Sequence, residues 1–220
     1  MTTSIILIGD LHGNVARLKY LDSIAPAGVP FLQLGDLGWW PGEIPSFEAW
    51  GKQAQRMLYW IKGNHEYFPR VPVNTPVPVE LAQNITYVPG GHVLELGTKR
   101  LGCLGGASSI DRQSRTAGYD WFFEENILPI EEERVKSWGK VDLMLTHVPP
   151  QYMIETHFSR ADMVRNWAVD YGWTDTNAVL VGHLWKSLGC PSLYCGHMHR
   201  AVNDGYVRIL DIDEALEVVL

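Results

Sequence analysis

The sequence predicts an α/β fold that opens with a parallel βαβ unit, and three observations carry that prediction. Ile5 to Ile8 is a short, continuously apolar run, as expected of a strand buried on both faces, and Phe31 to Leu34 is a second. Between them lies a stretch with helical spacing, which makes the two runs parallel neighbours joined by a right-handed crossover. Both runs end in Gly-Asp, at Gly9-Asp10 and Gly35-Asp36, and a third near Leu58 to Ile61 feeds Gly63-Asn64-His65-Glu66. In open α/β sheets, functional sites lie beyond the carboxyl ends of the strands.

The remaining elements follow in order. Asn14 is placed to cap the first helix, whose apolar residues Val15, Leu18, Leu21 and Ile24 recur at helical spacing before Pro26 and Gly28 stop it. A second helix is expected from Ser46, as its cap, to about Gln55. Pro69 to Pro78 reads as an irregular connection. Ile85–Tyr87, Val93–Leu96 and Leu101–Leu104, punctuated by Gly91 and Gly97, read as strands of antiparallel hairpins. Residues 108–126 are polar with an aromatic knot at Trp121, Phe122 and Phe123, the pattern of a long substrate-facing loop. A helix over Glu131–Trp138 precedes a strand, Leu143–Leu145, that ends at Thr146-His147. Helices near Ala161–Val169 and Asn177–Leu188 lead to a strand, Ser192–Cys195, ending in Gly196-His197-Met198-His199. Tyr206–Ile212 and Leu216–Val219 are the terminal strands.

Composition bounds the function. The 220 residues are 46% hydrophobic and 20% charged, without an internal repeat or composition break, as expected of one domain over residues 1–220 with a sizeable core. A net charge of −7 argues against a nonspecific nucleic-acid binder, so no stable nucleic-acid partner is expected. The three cysteines leave one over after any pairing, which fits a reducing compartment. No apolar stretch is long enough to cross a bilayer and no signal peptide is apparent, so the expectation is a cytoplasmic protein without a membrane partner. The oligomeric state is left open.

The chemistry lies at the strand ends. Asp10, His12, Asp36, Asn64, His65, His147, His197 and His199 are all oxygen or imidazole donors, and none is a thiolate. Such a set suits divalent Mn, Fe, Zn, Ni or Co. Without His65, seven donors remain, more than one tetrahedral ion needs, and two ions sharing a carboxylate use them economically. A pair of ions about 3.5–4 Å apart clamps the attacking and leaving oxygens of an in-line displacement. Phosphoester hydrolysis needs that most, because its uncatalysed rate is among the slowest known.

Gly9-Asp10-Leu11-His12-Gly13, Gly35-Asp36, Gly63-Asn64-His65-Glu66, Thr146-His147 and Gly196-His197-Met198-His199 together resemble the five ordered motifs of the calcineurin-like metallophosphoesterases. The resemblance spans nearly the whole chain. It implies two facing mixed β-sheets flanked by helices, a four-layer α/β sandwich. It further implies that Asp10, His12, Asp36 and His199 hold one metal and that Asp36 bridges to a second held by Asn64, His147 and His197. By the same resemblance a metal-activated hydroxide attacks phosphorus, and His65, not a ligand, stabilises or protonates the leaving oxygen. One departure matters. Protein Ser/Thr phosphatases of this superfamily follow the second Gly-Asp with a further Asp-Arg-Gly, whereas here Leu37-Gly38-Trp39-Trp40 follows. The acidic partner of His65 and a phosphate-binding arginine are both missing at that place, and Glu66 is the neighbour able to orient His65 instead.

Arg112 and Arg115, in the polar loop, are candidates for clamping a substrate phosphate, against the reading of a solvated loop carrying charge. Trp39, with Trp40, is a candidate pocket wall that stacks on the substrate, against ordinary burial. Cys190, Cys195, His197 and His199 have the wrong spacing for a zinc knuckle. The runs Glu124-Glu125 and Glu131-Glu132-Glu133 read as solvated helix starts. His92, His157 and His183 carry no motif. The expected activity is hydrolysis of a small or phosphoprotein-sized phosphomonoester. A phosphodiesterase acting on cyclic nucleotides or nucleic-acid ends is the alternative, and a non-catalytic interaction scaffold of the same fold is the reading from another class.

Overall fold

The computed structural model describes residues 3–159, 161, 163 and 174–220. Its strands are β1 (Ser4–Ile8), β2 (Phe31–Gln33), β3 (Leu58–Trp60), β4 (Val79–Ala82), β5 (Ile85–Tyr87), β6 (His92–Leu96), β7 (Lys99–Leu104), β8 (Leu143–Thr146), β9 (Leu193–Cys195), β10 (Val202–Asn203), β11 (Val207–Ile209) and β12 (Ala215–Val219). Its described helices are α1 (Val15–Ile24), α2 (Ile44–Gly51), α3 (Pro129–Lys136), α4 (Gln151–His157) and α5 (Thr176–Leu188).

Two six-stranded sheets result, in the orders β12-β1-β2-β3-β5-β4 and β10-β11-β9-β8-β7-β6. Each has a parallel centre and an antiparallel strand at either edge. In the first sheet β1, β2, β3 and β5 are parallel, with β12 and β4 antiparallel to them. In the second, β7, β8, β9 and β11 are parallel, with β6 and β10 antiparallel.

The period-two alternation of strands assigns side chains to layers. Ile5 and Leu7 of β1 and Leu143 and Leu145 of β8 point into one shared core, with Leu32, Leu101 and Cys103, so the two sheets pack face to face. Ile6 and Ile8 point the other way, into a second core with Val15, Leu18 and Leu21 of α1 and Phe47 and Trp50 of α2. Met144 points outward on the second sheet, among Val135 of α3, Met153 of α4 and Val181 of α5. Four layers follow, helix–sheet–sheet–helix, and the continuous apolar runs are strands buried on both faces.

Several elements differ from expectation for identifiable reasons. Asn14 does cap α1, accepting from Arg17 N at 3.1 Å. Ser46, by contrast, is inside α2 and caps nothing, because Pro45 occupies the first turn, where its fixed φ and missing N–H are harmless. Ile85–Tyr87 is not part of the β6–β7 hairpin. It joins the first sheet, parallel to β3 and antiparallel to the unforeseen edge strand β4. Helix α4 follows Pro149-Pro150 where no element was expected, and the terminal strand from Tyr206 is shorter and paired with the unforeseen β10. The helix expected near Ala161–Val169 falls mostly on residues outside those described.

Candidate metal centre

The residues after β1, β2, β3, β8 and β9 meet at one edge of the sandwich, where the carboxyl ends of both parallel centres lie. Asp10 and His12 follow β1, Asp36 follows β2, Asn64 and His65 follow β3, His147 follows β8, and His197 and His199 follow β9. Potential ligand atoms of Asp10, His12, Asp36 and His199 all lie within 4.8 Å of one another, and those of Asp36, His147 and His197 form a second such group. Asn64 Oδ1 lies 3.2 Å from His147 Nε2, which puts the amide with the second group. Asp36 belongs to both. Asn64, His65, His197 and His199 line a cleft of about 230 Å³ together with Ile110, Asp111 and Met198.

Bringing these groups together takes unusual backbone. Six described non-glycine residues have positive φ, and four of them are His12, Asp36, His197 and His199. Such strain persists only where the surroundings over-determine it, and it clusters at functional sites. The glycines of the motifs permit close approach. A Cβ on Gly63 would collide with Asp36 Oδ1, and one on Gly196 with Asp10 Oδ1. With no side chain in the way, both carboxylates are held by main-chain donors. Asp36 Oδ1 accepts from Asn64 N (2.7 Å) and His65 N (2.8 Å), and Asp10 Oδ1 accepts from His197 N (2.9 Å).

The donor set fits divalent cations. His12 Nε2 and His199 Nε2 approach to 3.0 Å, so two imidazole nitrogens are aimed at one point. The buried Asp10 Oδ2 makes no well-aligned hydrogen bond, although His199 Nε2 is 3.0 Å from it. His147 Nδ1 lies 2.8 Å from Leu34 O, and donating there turns Nε2 toward Asp36 at 3.4 Å. A ligating histidine whose other nitrogen is tied to a carbonyl is the usual arrangement at metals. Electrostatics agree. Burial works against the Asp36 carboxylate, yet His147, His65 and His12 hold it well below the usual range. Burial likewise opposes a charged His147, but Asp36 draws it up to about 9, while burial and His147 push His197 down to about 4. The carboxylates attract positive charge wherever it is available.

His65 belongs to neither donor group. Its ring is 4.9 Å from that of His12, and Arg115 Nη2 lies 3.3 and 3.2 Å from its two nitrogens. Burial lowers the His65 pKa, and Arg115 and His12 lower it further against Asp36 and Asp111. Arg115 is held in turn by Asp111, Nε to Oδ1 at 2.8 Å.

The other candidates separate sharply. Arg112 lies over the Trp121 ring, 3.6 Å from its centroid, whereas Arg115 reaches His65. Trp39 is buried at 3% exposure against Phe47 and Trp60, so it is core and not pocket wall. Trp40 takes that place. With Gly38 and Glu43 it lines a hollow between His12 and His65, and its Nε1 donates to His65 O at 2.8 Å. Glu66 does not orient His65. Its carboxylate, at 1% exposure, accepts from Leu37 N (2.8 Å), Gly38 N (3.1 Å) and Trp39 N (2.8 Å), holding the loop that follows Asp36. Burial and the nearby Asp36 push Glu66 up to about 8. Glu125 and Glu131 are buried, not solvated, whereas the half-buried Glu132 and the exposed Glu133 pair with Lys136. Ser109, which accepts from Asn64 Nδ2 at 3.2 Å, had no signal in the sequence. Cys195 is buried in β9 with its Sγ toward Arg208 O, away from the histidines that follow it.

Comparison with known proteins agrees with the architecture. The family model for calcineurin-like phosphoesterases matches residues 3–201. The Thermus thermophilus protein TT1561 superposes with a TM-score of 0.56 at 12% identity, covering 97% of this chain and 91% of its own, a likeness of fold. The NAD nucleotidase NadN of Haemophilus influenzae aligns with a TM-score of 0.39 at 13% identity, over 96% of this chain and 42% of its own. No curated protein matches.

Proposed function

Because this chain belongs to the calcineurin-like phosphoesterase family, we propose that it is a two-metal hydrolase of phosphate monoesters. The observation that carries the reading is Asp36, common to two donor groups that together draw on both sheets. Asp10, His12, Asp36 and His199 would hold one divalent ion, and Asp36, Asn64, His147 and His197 the other. The oxygen and imidazole donors suit Mn, Fe, Zn or Ni. When bound, such a pair supplies Lewis acidity, charge neutralisation and an activated water for in-line displacement at phosphorus.

The chain's own residues do the rest. The bond from His147 Nδ1 to Leu34 O keeps its Nε2 turned to the site. His65, outside both groups and facing the cleft, would give a proton to the leaving oxygen. Arg115 is pinned beside His65 by Asp111, and its remaining N–H groups would meet phosphoryl oxygens. The extra guanidinium favours a dianionic monoester over a singly charged diester. Trp40 bounds the hollow on the other side of His65, where the organic part of the substrate would lie. A small phosphoester or a phosphoprotein fits the charge of −7 better than a nucleic acid. The three cysteines are free, which supports a reducing, cytoplasmic setting, and no described helix is long and apolar enough to cross a membrane.

The test is turnover of an aryl monophosphate and its bis-aryl diester by metal-stripped protein reloaded with Mn, Ni, Zn or Mg. Faster monoester turnover is expected. A faster diester would overturn the monoester assignment, and silence with every metal would favour a non-catalytic scaffold.

A further inference from the structure

Asn64 offers the second donor group an oxygen only if its amide nitrogen is held elsewhere. The two ends of a carboxamide have nearly the same shape, so hydrogen bonds alone choose between its orientations. In this chain Ser109 chooses. Asn64 Nδ2 donates to Ser109 Oγ at 3.2 Å, which leaves Oδ1 beside His147. Ser109 accepts cleanly there because its own proton goes the other way, to Glu125 Oε2 at 2.6 Å. Ser109 N adds a bond to Glu125 Oε1 at 2.8 Å, and Trp121 Nε1 donates to the same oxygen at 2.8 Å. Every partner of this carboxylate is a donor, so it acts as the acceptor at the end of a one-way chain: amide to hydroxyl to carboxylate. Ser109 is 1% exposed and Glu125 2%, so water does not compete for these bonds.

We infer that Ser109 and Glu125 are positioning residues for the second metal, fixing Asn64 Oδ1 toward the donors of Asp36, His147 and His197. The inference rests on the two-metal reading. It is separable from a role in simply tethering the 108–126 loop. That loop has other anchors that do not touch Asn64, namely Ser108 N to Asp175 Oδ2 (3.0 Å), Asn177 Nδ2 to Ser108 Oγ (2.9 Å) and Asn177 Nδ2 to Asn126 Oδ1 (3.0 Å).

Calorimetric titration of Mn²⁺ into the metal-stripped full chain tests it, with the melting temperature recorded in parallel. Wild type should take two ions. Ser109→Ala should keep one site and lose about 10–100-fold in affinity at the other, the usual cost of removing an outer partner of a ligand. Half-loaded Ser109→Ala should then show the spectrum of an isolated Mn²⁺ ion where wild type shows a coupled pair. Ser109→Thr, which keeps the hydroxyl, should recover the second site. Glu125→Gln should weaken that site as Ser109→Ala does, and it serves the same purpose if the alanine variant fails to fold. Trp121→Phe, which spares Ser109, should leave both affinities within about twofold of wild type. Two undisturbed sites in Ser109→Ala, or equal weakening of both together with a fallen melting temperature, would overturn the positioning role alone. Fewer than two ions in wild type would instead sink the two-metal reading beneath it.

Discussion

His65, the proposed proton donor, is part of neither donor group, so removing its ring should separate catalysis from metal binding. His65→Ala is expected to lower kcat by about 10²–10⁴-fold, the usual worth of a positioned proton donor, with metal content by elemental analysis unchanged. Loss of metal along with activity would make it a ligand instead. Its neighbour has a different task. Glu66 satisfies three main-chain N–H groups of the turn after Asp36, so Glu66→Gln replaces an acceptor oxygen with a donor and strands at least one of them. We expect a loss of about 1–3 kcal/mol in urea unfolding. An unchanged midpoint would mean that the turn holds itself. At this scale the sequence shows which segments reach the site, since each bears a strand end with a Gly beside a donor. It does not show which of two adjacent residues faces inward. His65 faces the cleft while Glu66 turns to the loop after Asp36, and Trp39 is buried while Trp40 lines the hollow, because these residues lie past the strand ends, where no regular period assigns a side. Arg112 and Arg115 diverge as well, because Arg112 opens a 3-10 turn and lies on Trp121, while Arg115, just past that turn, has extended backbone and reaches His65.

Among the elements, the join between β3 and α3 holds a fully buried ion pair. Lys62, just past β3, is fully buried and donates from Nζ to Glu131 Oε2 (2.8 Å), Glu124 O (2.9 Å) and Asn126 O (2.7 Å). Burial pulls the Lys62 ammonium below its ordinary pKa while Glu131 pulls it up. Lys62→Met should therefore cost about 3–5 kcal/mol, because it leaves the Glu131 carboxylate buried without its cation, and Lys62→Met with Glu131→Leu should cost less than the single change. A double variant as unstable as the two singles combined would show that the pair is uncoupled. This join also explains why some elements were illegible. Glu131 lies in a charged run that composition alone marks as solvated, and only the lysine from a distant strand end makes its burial tolerable. Similarly, Ile85–Tyr87 is as apolar as the strands on either side. Whether it pairs with β3 or β6 is a long-range choice that local periodicity does not encode, whereas the β6–β7 hairpin, closed by Gly97, is local and readable.

At the scale of the molecule, the proposed metal positions lie across the seam between the two sheets. The first would draw Asp10, His12 and Asp36 from one sheet and His199 from the other, and the second Asp36 and Asn64 from one and His147 and His197 from the other. An ion bound there adds a tie between strand ends already joined by His197 N to Asp10 Oδ1 and His147 Nδ1 to Leu34 O, and it binds the folded chain far better than the unfolded one. Linkage then sets the size of the effect. Each site at a hundredfold excess of free metal over Kd adds about 2.7 kcal/mol. For a domain of this length, 1 kcal/mol shifts Tm by roughly 2–4 °C. Stripping the metals with a chelator should thus lower Tm by about 5–10 °C for each site emptied, and the fall should reverse as metal is titrated back. Asp36→Asn, which weakens both positions at once, should flatten that titration more than loss of a residue serving one position, such as His199→Ala. Should scanning calorimetry find a Tm indifferent to chelator and to added Mn²⁺ alike, these donors would be gathered at the seam without holding ions there.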